Sequence, residues 1–200
     1  LVSLIGYKTD AIEKEQRHTT TQLNAATYGE RIKNEIVNGT EITDTLEQIL
    51  ISDDGTIKHF NTIAKNLMSD SIESVQLAPH GVVTDIYPAE GNEAGKIDLL
   101  HDKDRGEISC YARDNHTVIT QGPFELKQGD YGIAVRNPVY LNDENGQEYF
   151  WGFTIVILRV PDIFSNSIEA LSNFGYEYRL SKKDAPWSDD YKVVYQSDGQ

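Results

Sequence analysis

Apolar and small residues recur every three or four positions through the first fifty residues, starting after Thr9 and Asp10. This spacing places them on one face of a helix, and Thr9-Asp10 is a suitable N-cap. An unbroken helix to Ile51 would contain about 41 residues and form a rod roughly 60 Å long. Two shorter helices meeting at Gly39 are an alternative, although a glycine on the apolar face also permits close packing.

Beyond the turn at Asp53-Asp54-Gly55, a second helix is predicted over Thr56–Met68. Pro79-His80-Gly81 separates two apolar runs and predicts a hairpin. The order of elements predicts an α+β domain in which helices cover one side of an antiparallel sheet. The predicted strands are Ile72–Ala78, Val82–Tyr87, Val118–Leu126, Gly132–Tyr140, Glu148–Val160, Tyr176–Leu180 and Lys192–Tyr195, and the later helices are Asp104–Asn115 and Ile163–Phe174.

Charge and composition narrow the choice of partners. Lys and Arg number 18 against 32 Asp and Glu, which gives a net charge of −14. Such a chain repels phosphate backbones and anionic membranes, so nucleic acid is excluded as a partner.

A single cysteine, Cys110, allows no internal disulfide, and we interpret it as a half-buried small side chain. The longest apolar run, residues 150–158, is too short to span a membrane, which needs about 20 residues. The chain begins at Leu1 without a signal segment, so we interpret it as an excised piece that membrane segments could flank.

No catalytic constellation is visible in the sequence. The five histidines lack the His-x-x-x-His spacing of a helical metal site. Nucleophile-elbow, phosphate-loop and dinucleotide patterns do not occur either. An extracellular hydrolase would need a nucleophile or a metal site, so we predict that this fragment is not an enzyme and carries no metal or cofactor.

Seven short segments between Leu77 and Phe153 occur in a characteristic order. They are Leu77-Ala78-Pro79 with Gly81-Val82-Val83, Ile86-Tyr87-Pro88, Gly91-Asn92-Glu93, Asp98-Leu99-Leu100, Gly122-Pro123-Phe124-Glu125-Leu126, Arg136-Asn137-Pro138-Val139-Tyr140 and Phe150-Trp151-Gly152-Phe153. Together they resemble the CHASE family, the extracytoplasmic sensory domain of histidine kinases and cyclases. The resemblance implies a stalk helix and second helix over residues 1–70, a membrane-distal PAS-like ligand-binding lobe over 71–160, and a smaller membrane-proximal PAS-like lobe over 161–200.

The resemblance also implies a function. Such domains lie between two transmembrane helices, outside the cytoplasm, and relay the binding of a small molecule to a cytoplasmic output. We expect that output to be a diguanylate cyclase or a histidine kinase. The alternative is an interaction module in which the N-terminal helix forms a homodimer and the lobe binds no small molecule of its own.

The candidate ligand-binding residues come mainly from the resemblance. In plant relatives an aspartate before the strands holds the ligand ring, and the matching residue here is Asp104. The resemblance places Gln121 in the lining and Lys127 near the mouth of the pocket. Tyr111 is added because it lies almost two helical turns after Asp104, on roughly the same side.

Arg136 is the departure from the plant pattern, which has a small hydroxyl residue there. A guanidinium in a pocket suits bidentate capture of a carboxylate or phosphate. We therefore expect a small anionic or zwitterionic ligand, with Arg136 on its acid group and Asp104 on an amine or ring N–H. Alternatively, Arg136 pairs internally with Asp104 or Glu125 and has no ligand role. Trp151 is interpreted as a core residue, with the pocket wall as the other option.

Overall fold

The N-terminal third forms one continuous helix. The computed structural model describes residues 2–89, 95, 97–127 and 129–197, and its first element is α1, Val2–Ser52. At 1.5 Å per residue this helix is roughly 75 Å long. The predicted rod is confirmed, and the alternative of two helices meeting at Gly39 is wrong. A Cβ atom at Gly39 would lie 2.8 Å from Cδ2 of Leu158, so the glycine allows α1 to approach the sheet.

Five antiparallel strands form the main sheet, in the spatial order β2-β1-β5-β4-β3. They are β1 (Ile72–Pro79), β2 (Asp85–Tyr87), β3 (Ile119–Glu125), β4 (Tyr131–Asn142) and β5 (Glu148–Val160). The predicted α+β class and antiparallel sheet are confirmed. The central strands β4 and β5 contribute the longest pairing, and β1 lies against the other side of β5.

Helices cover both faces of this sheet, so the prediction of helices on one side only is wrong. One face packs against α1 and α2 (Phe60–Leu67), and the other packs against α3 (Gly106–Asp114). The cause lies in β4, where residues 132–139 are all buried. A strand that is buried on both faces has a near-continuous apolar sequence rather than an alternating one. Val135 consequently joins the core beneath α1, while Ala134 joins the core beneath α3.

The hairpin predicted around Pro79-His80-Gly81 forms, but its second strand is shorter than expected. Leu77 pairs with Asp85, and the turn between them places His80 and Gly81 at positive φ. Helix α2 also begins later than predicted, at Phe60, because the preceding His59 has a left-handed backbone conformation. The glycine-rich stretch predicted as a loop at 90–95 lies almost wholly outside the described residues.

A second, smaller sheet follows β5. A 3-10 turn (Asp162–Phe164) leads into α4 (Ser165–Asn173) and then into the antiparallel pair β6 (Arg179–Lys183) and β7 (Tyr191–Gln196). Val194 is buried in the core beneath α1, which anchors this pair to the rest of the domain. The bounds of α4, β6 and β7 differ from the predicted ones by one to three residues. The division into units 1–70, 71–160 and 161–200 stays a prediction.

Candidate functional site

A cavity of about 840 Å³ lies on the α3 side of the main sheet. Its floor comes from β1, β3, β4 and β5, and its rim comes from the segment before α3 and from the second sheet. The apolar lining includes Val83, Leu99, Ala134, Ile155 and Ile157. The polar and charged lining includes Glu73, Gln76, Asp104, Gln121, Glu125, Lys127, Arg136, Asp184 and Lys192. The lining is thus at least as polar as it is apolar, and a cavity that combines apolar side chains with converging polar groups can hold a small molecule.

Arg136 is the one deeply buried charged side chain of this lining among the described residues. It lies on β4 and is only 3% exposed. Its Nη1 donates a 2.6 Å hydrogen bond to Oε1 of Gln121, while its Nε is buried without a hydrogen-bond partner. Burial, together with the nearby cation of Arg105, lowers the pKa of Arg136 to about 10, against an opposing effect of Asp102. The side chain therefore remains a cation at neutral pH, with unused hydrogen-bonding capacity in a desolvated position.

No described carboxylate forms an ion pair with this guanidinium. The alternative in which Arg136 pairs with Asp104 or Glu125 is thus not realised in the described part of the chain, although both residues line the cavity. Two other cations of the lining have carboxylate partners. Arg105 bonds Asp102 at 2.8 Å, and Lys192 bonds Asp184 at 2.8 Å.

Gln121 connects Arg136 to the segment before α3. Its Oε1 accepts from Arg136, and its Nε2 donates to the backbone carbonyl of Asp104 at 2.8 Å. This amide therefore fixes the guanidinium against the rim of the cavity. In strand pairing, Gln121 lies opposite Ala134 and Ile119 lies opposite Arg136, so the Gln121–Arg136 contact is diagonal between neighbouring strands.

The Asp104 carboxylate is exposed at the cavity rim and does not begin the helix. Helix α3 starts at Gly106, two residues later than predicted. Asp102 orders the turn before the helix, because its Oδ1 accepts from the amides of Asp104 and Arg105, each at 2.9 Å. Although burial raises it, the pKa of Asp102 is held below its ordinary value by these amides and by the Arg105 guanidinium. Asp104 thereby keeps its own carboxylate for other contacts.

Four of the five sequence-predicted site residues share this cavity: Asp104, Gln121, Lys127 and Arg136. Tyr111 is not part of the lining. Its ring packs against Trp187 of the loop between β6 and β7, with 5.1 Å between ring centroids. The sequence did not single out Glu73, Asp184 or Lys192, since no motif marks them. Glu73 is held by Arg159 at 2.6 Å, at the edge of the same cavity.

Two further interpretations are resolved by packing. Trp151 is a core residue and no part of the cavity, because its side chain is buried beneath α1 and its Nε1 donates to the carbonyl of Gly55 at 3.0 Å. Cys110 is half-buried, and its Sγ lies 3.7 Å from the carbonyl of Leu100.

Within the described residues, no cluster of three or more metal-ligating side chains occurs. None of the described helices is both long and apolar enough to cross a membrane.

Two solved structures are similar to this chain. The chain is similar to an extracellular ligand binding receptor from Desulfohalobium retbaense DSM5692, with 15% identity and a TM-score of 0.62 over 86% of this chain. It is also similar to the ligand-binding domain of the Campylobacter jejuni chemoreceptor Tlp3 in complex with 4-methylisoleucine, with 14% identity and a TM-score of 0.39 over 73% of this chain. The chain spans 30% of the first structure and 63% of the second.

No curated protein matches the chain. The family model of the CHASE domain matches residues 15–188, which include most of α1, the whole main sheet and most of the cavity lining. This match covers well over half of the chain and agrees with the resemblance seen between Leu77 and Phe153. The chain therefore belongs to the CHASE family of sensory, non-catalytic domains.

Proposed function

We propose that this domain is the extracytoplasmic input of a transmembrane receptor and that it binds a small anionic or zwitterionic molecule in the cavity above β4. Membership of the CHASE family supports the sensory role. The similar Desulfohalobium structure is described as an extracellular ligand binding receptor, and its fold agrees with this proposal.

The observation that carries the proposed ligand class is the state of Arg136. A buried cation without a counter-ion is costly, because desolvation is not repaid by an attractive charge. The Gln121 amide satisfies one N–H group, and no described residue accepts a hydrogen bond from the Nε group. A ligand carboxylate or phosphate would supply both the missing charge and the missing acceptor. Bidentate contact through Nε and an Nη atom is the usual geometry for such groups.

The remaining predicted residues have complementary roles in this proposal. The exposed carboxylate of Asp104 receives an amine or ring N–H of the ligand at the rim. Gln121 holds Arg136 in position, and Lys127 adds positive potential near the mouth. Apolar residues such as Ile155 and Leu99 contact the body of the ligand.

The whole receptor follows the family plan in this proposal. Membrane segments flank the domain, residues 161–200 form the lobe nearer the membrane, and α1 pairs with its copy in a homodimer. The cytoplasmic output is a diguanylate cyclase or a histidine kinase. Ligand occupancy changes the output only if one conformational state binds the ligand more tightly than the other.

A thermal-shift screen followed by calorimetry tests the ligand class. The panel contains amino acids, small carboxylates, inorganic phosphate and purines. A ligand at 100 times its dissociation constant adds about 2.7 kcal/mol to the free energy of unfolding, which is easily measured in a domain of this size. We expect an acidic compound to stabilise the protein and Arg136→Ala to abolish its binding.

Arg31→Ala is the matched control. It removes the same charge from α1, where the Arg31 guanidinium lies over the Tyr28 ring and outside the cavity lining. Binding should be unchanged in this variant. If no acidic compound shifts the wild-type protein, the anion-binding proposal fails. Light scattering of the wild type and of stalk variants would then test the dimerisation alternative.

A further inference from the structure

We infer that the tip of the second sheet, residues 184–192, is the cap of the ligand cavity, and that its Asp184–Lys192 pair belongs to the binding site. This inference rests on the proposed function, because it assigns additional ligand contacts to the same cavity. It assigns them to a segment that lies in the smaller unit and far along the chain from Arg136.

The first observation is the position of the ion pair. Asp184 and Lys192 come from the ends of β6 and β7, yet both line the cavity whose floor belongs to the main sheet. Their charged atoms lie 2.8 Å apart, and the two side chains are 47% and 59% exposed. Such an exposed pair contributes little to stability, so Lys192 can exchange its partner for a ligand anion at small cost.

The second observation is the contact that holds the tip in place. Trp187, at the middle of the connecting loop, packs its ring against Tyr111 of α3. The loop itself is closed by a 2.9 Å hydrogen bond from the Asp184 amide to the Asp190 carbonyl. Helix α3 follows the rim segment that contains Asp104, so this aromatic contact seats the tip beside the cavity opening. In this inference Tyr111 does not line the cavity but provides the surface against which the cap packs.

The third observation is that the hairpin is anchored at one point of β7. Val194 lies in the core beneath α1, and β7 lies beside β3. Trp187 at the tip is 47% exposed, and Tyr191 at the start of β7 is 65% exposed. A hairpin held mainly at Val194 can open at its tip without unfolding the main sheet. A ligand that touches both Arg136 and the tip would favour the closed arrangement.

The experiment measures access to the cavity and needs no identified ligand. In a Cys110→Ser background, Ser74→Cys places a thiol in the cavity lining, where the native side chain is 1% exposed. The rate of its modification by methyl methanethiosulfonate, which is small and uncharged, reports how often the cavity opens. We expect Trp187→Ala to raise this rate about tenfold or more. Phe174→Ala is the control, since this aromatic residue of the same unit is 68% exposed and outside the lining.

An unchanged rate in Trp187→Ala, both at Ser74→Cys and at a second reporter, Ala134→Cys, would overturn the cap. A rise of the same size in Phe174→Ala would also overturn it, because it would indicate general loosening. Protection of the thiol by inorganic phosphate or succinate, lost in Lys192→Met, would support the ion pair as part of the site. Failure of every acid to bind the intact protein would refute the proposed function. The modification rate of the thiol would still test whether residues 184–192 cover the cavity.

Discussion

Arg136 and Asn137 are consecutive in β4 and project from opposite faces of the sheet. Arg136 lines the cavity, whereas Asn137 donates from its Nδ2 to the carboxylates of α1, at 2.9 Å to Glu47 and 3.4 Å to Asp44. Alternation of side chains along a strand produces this arrangement. A single peptide unit therefore joins the cavity lining to the hydrogen bonds with α1.

The neighbouring strand reinforces the same connection. Thr154 of β5 is the register partner of Asn137, and its hydroxyl donates to the backbone carbonyl of Thr43 in α1 at 3.0 Å. Both groups are buried, and buried polar groups are costly to separate from their partners. Helix α1 is thus bonded to both central strands at the level of the cavity, and it cannot slide along the sheet without breaking these bonds.

Replacing Arg136 with methionine should stabilise the ligand-free protein while abolishing anion binding. The substitution removes a desolvated charge that is unpaired among the described residues, and it keeps a long apolar side chain. We therefore expect the free energy of unfolding to rise by about 1 kcal/mol. Gln121, which is half-buried, can exchange the lost bond for water. Urea denaturation at neutral pH measures the change.

Arg159→Met is the control for this prediction, because Arg159 is paired with Glu73 at 2.6 Å. Removal of a paired arginine should lower the stability or leave it nearly unchanged. If Arg136→Met instead lost more stability than Arg159→Met, Arg136 would be a structural residue and its proposed ligand role would lose its basis.

Asn137→Ala should loosen the stalk helix without affecting the cavity. The change removes the donor shared by Asp44 and Glu47, and a hydrogen bond to a charged group is worth about 1.5–3 kcal/mol. We expect faster amide hydrogen exchange over residues 40–52, with unchanged exchange in α3. Asn142→Ala, at the exposed end of β4, serves as the matched control. Equal exchange in wild type and Asn137→Ala would argue against the connection between β4 and α1.

Local pattern was sufficient to predict most elements of this fold. The three-to-four spacing along α1 and the long apolar runs of β4 and β5 are strong signals. An element buried on one face has apolar residues at the period of that element, and a strand buried on both faces has a continuous apolar run. The turn at His80-Gly81 was equally readable from residue types that tolerate positive φ. Helix starts were predicted less well, since α3 begins at Gly106 and not at Asp104.

The pattern of apolar and polar residues could not predict which elements pack against each other. Nothing in the sequence indicates that α3 covers the face opposite α1, since an apolar strand is compatible with either arrangement. The role of Trp187 depends on a contact with Tyr111 between distant segments of the chain. Arg136 could be recognised as a candidate from its departure from the family pattern. That none of the described carboxylates pairs with it became visible only in the structure.

Two glycines of α1, Gly29 and Gly39, should respond oppositely to alanine. A Cβ at Gly29 meets nothing within 4 Å, so Gly29→Ala gains helix propensity and should stabilise the protein by about 1 kcal/mol. At Gly39 the same atom would lie 2.8 Å and 2.9 Å from the terminal carbons of buried Leu158. Overpacking costs about 1–3 kcal/mol, which cancels or exceeds the gain.

Thermal denaturation of the two variants provides the comparison, with each acting as the control for the other. Gly39→Ala combined with Leu158→Val should recover part of the lost stability, since the smaller side chain makes room for the added methyl group. Equal stabilisation by both alanines would mean that α1 does not pack against β5 as described.

Glu35 should make the stability pH-dependent where α1 meets α4. Its carboxylate accepts from the buried hydroxyl of Ser167, at 3.2 Å to each oxygen. Burial raises the pKa of Glu35, against lowering effects of Ser167 and Arg31. Between the ordinary pKa and the raised one, the folded state therefore binds more protons than the unfolded state. The contribution of Glu35 to stability accordingly falls as pH increases through this window and stays lower above it.

Glu35→Gln removes this dependence while keeping an acceptor for Ser167. The stability of the variant relative to wild type should therefore increase from about pH 4 to about pH 7, as measured by urea denaturation at both values. Glu41→Gln, at an exposed position of α1, should show no such trend. Ser167→Ala removes a group that lowers the pKa of Glu35, so it should make the stability depend more steeply on pH. The same pH trend in Glu35→Gln and Glu41→Gln would assign the effect to the acidic surface as a whole.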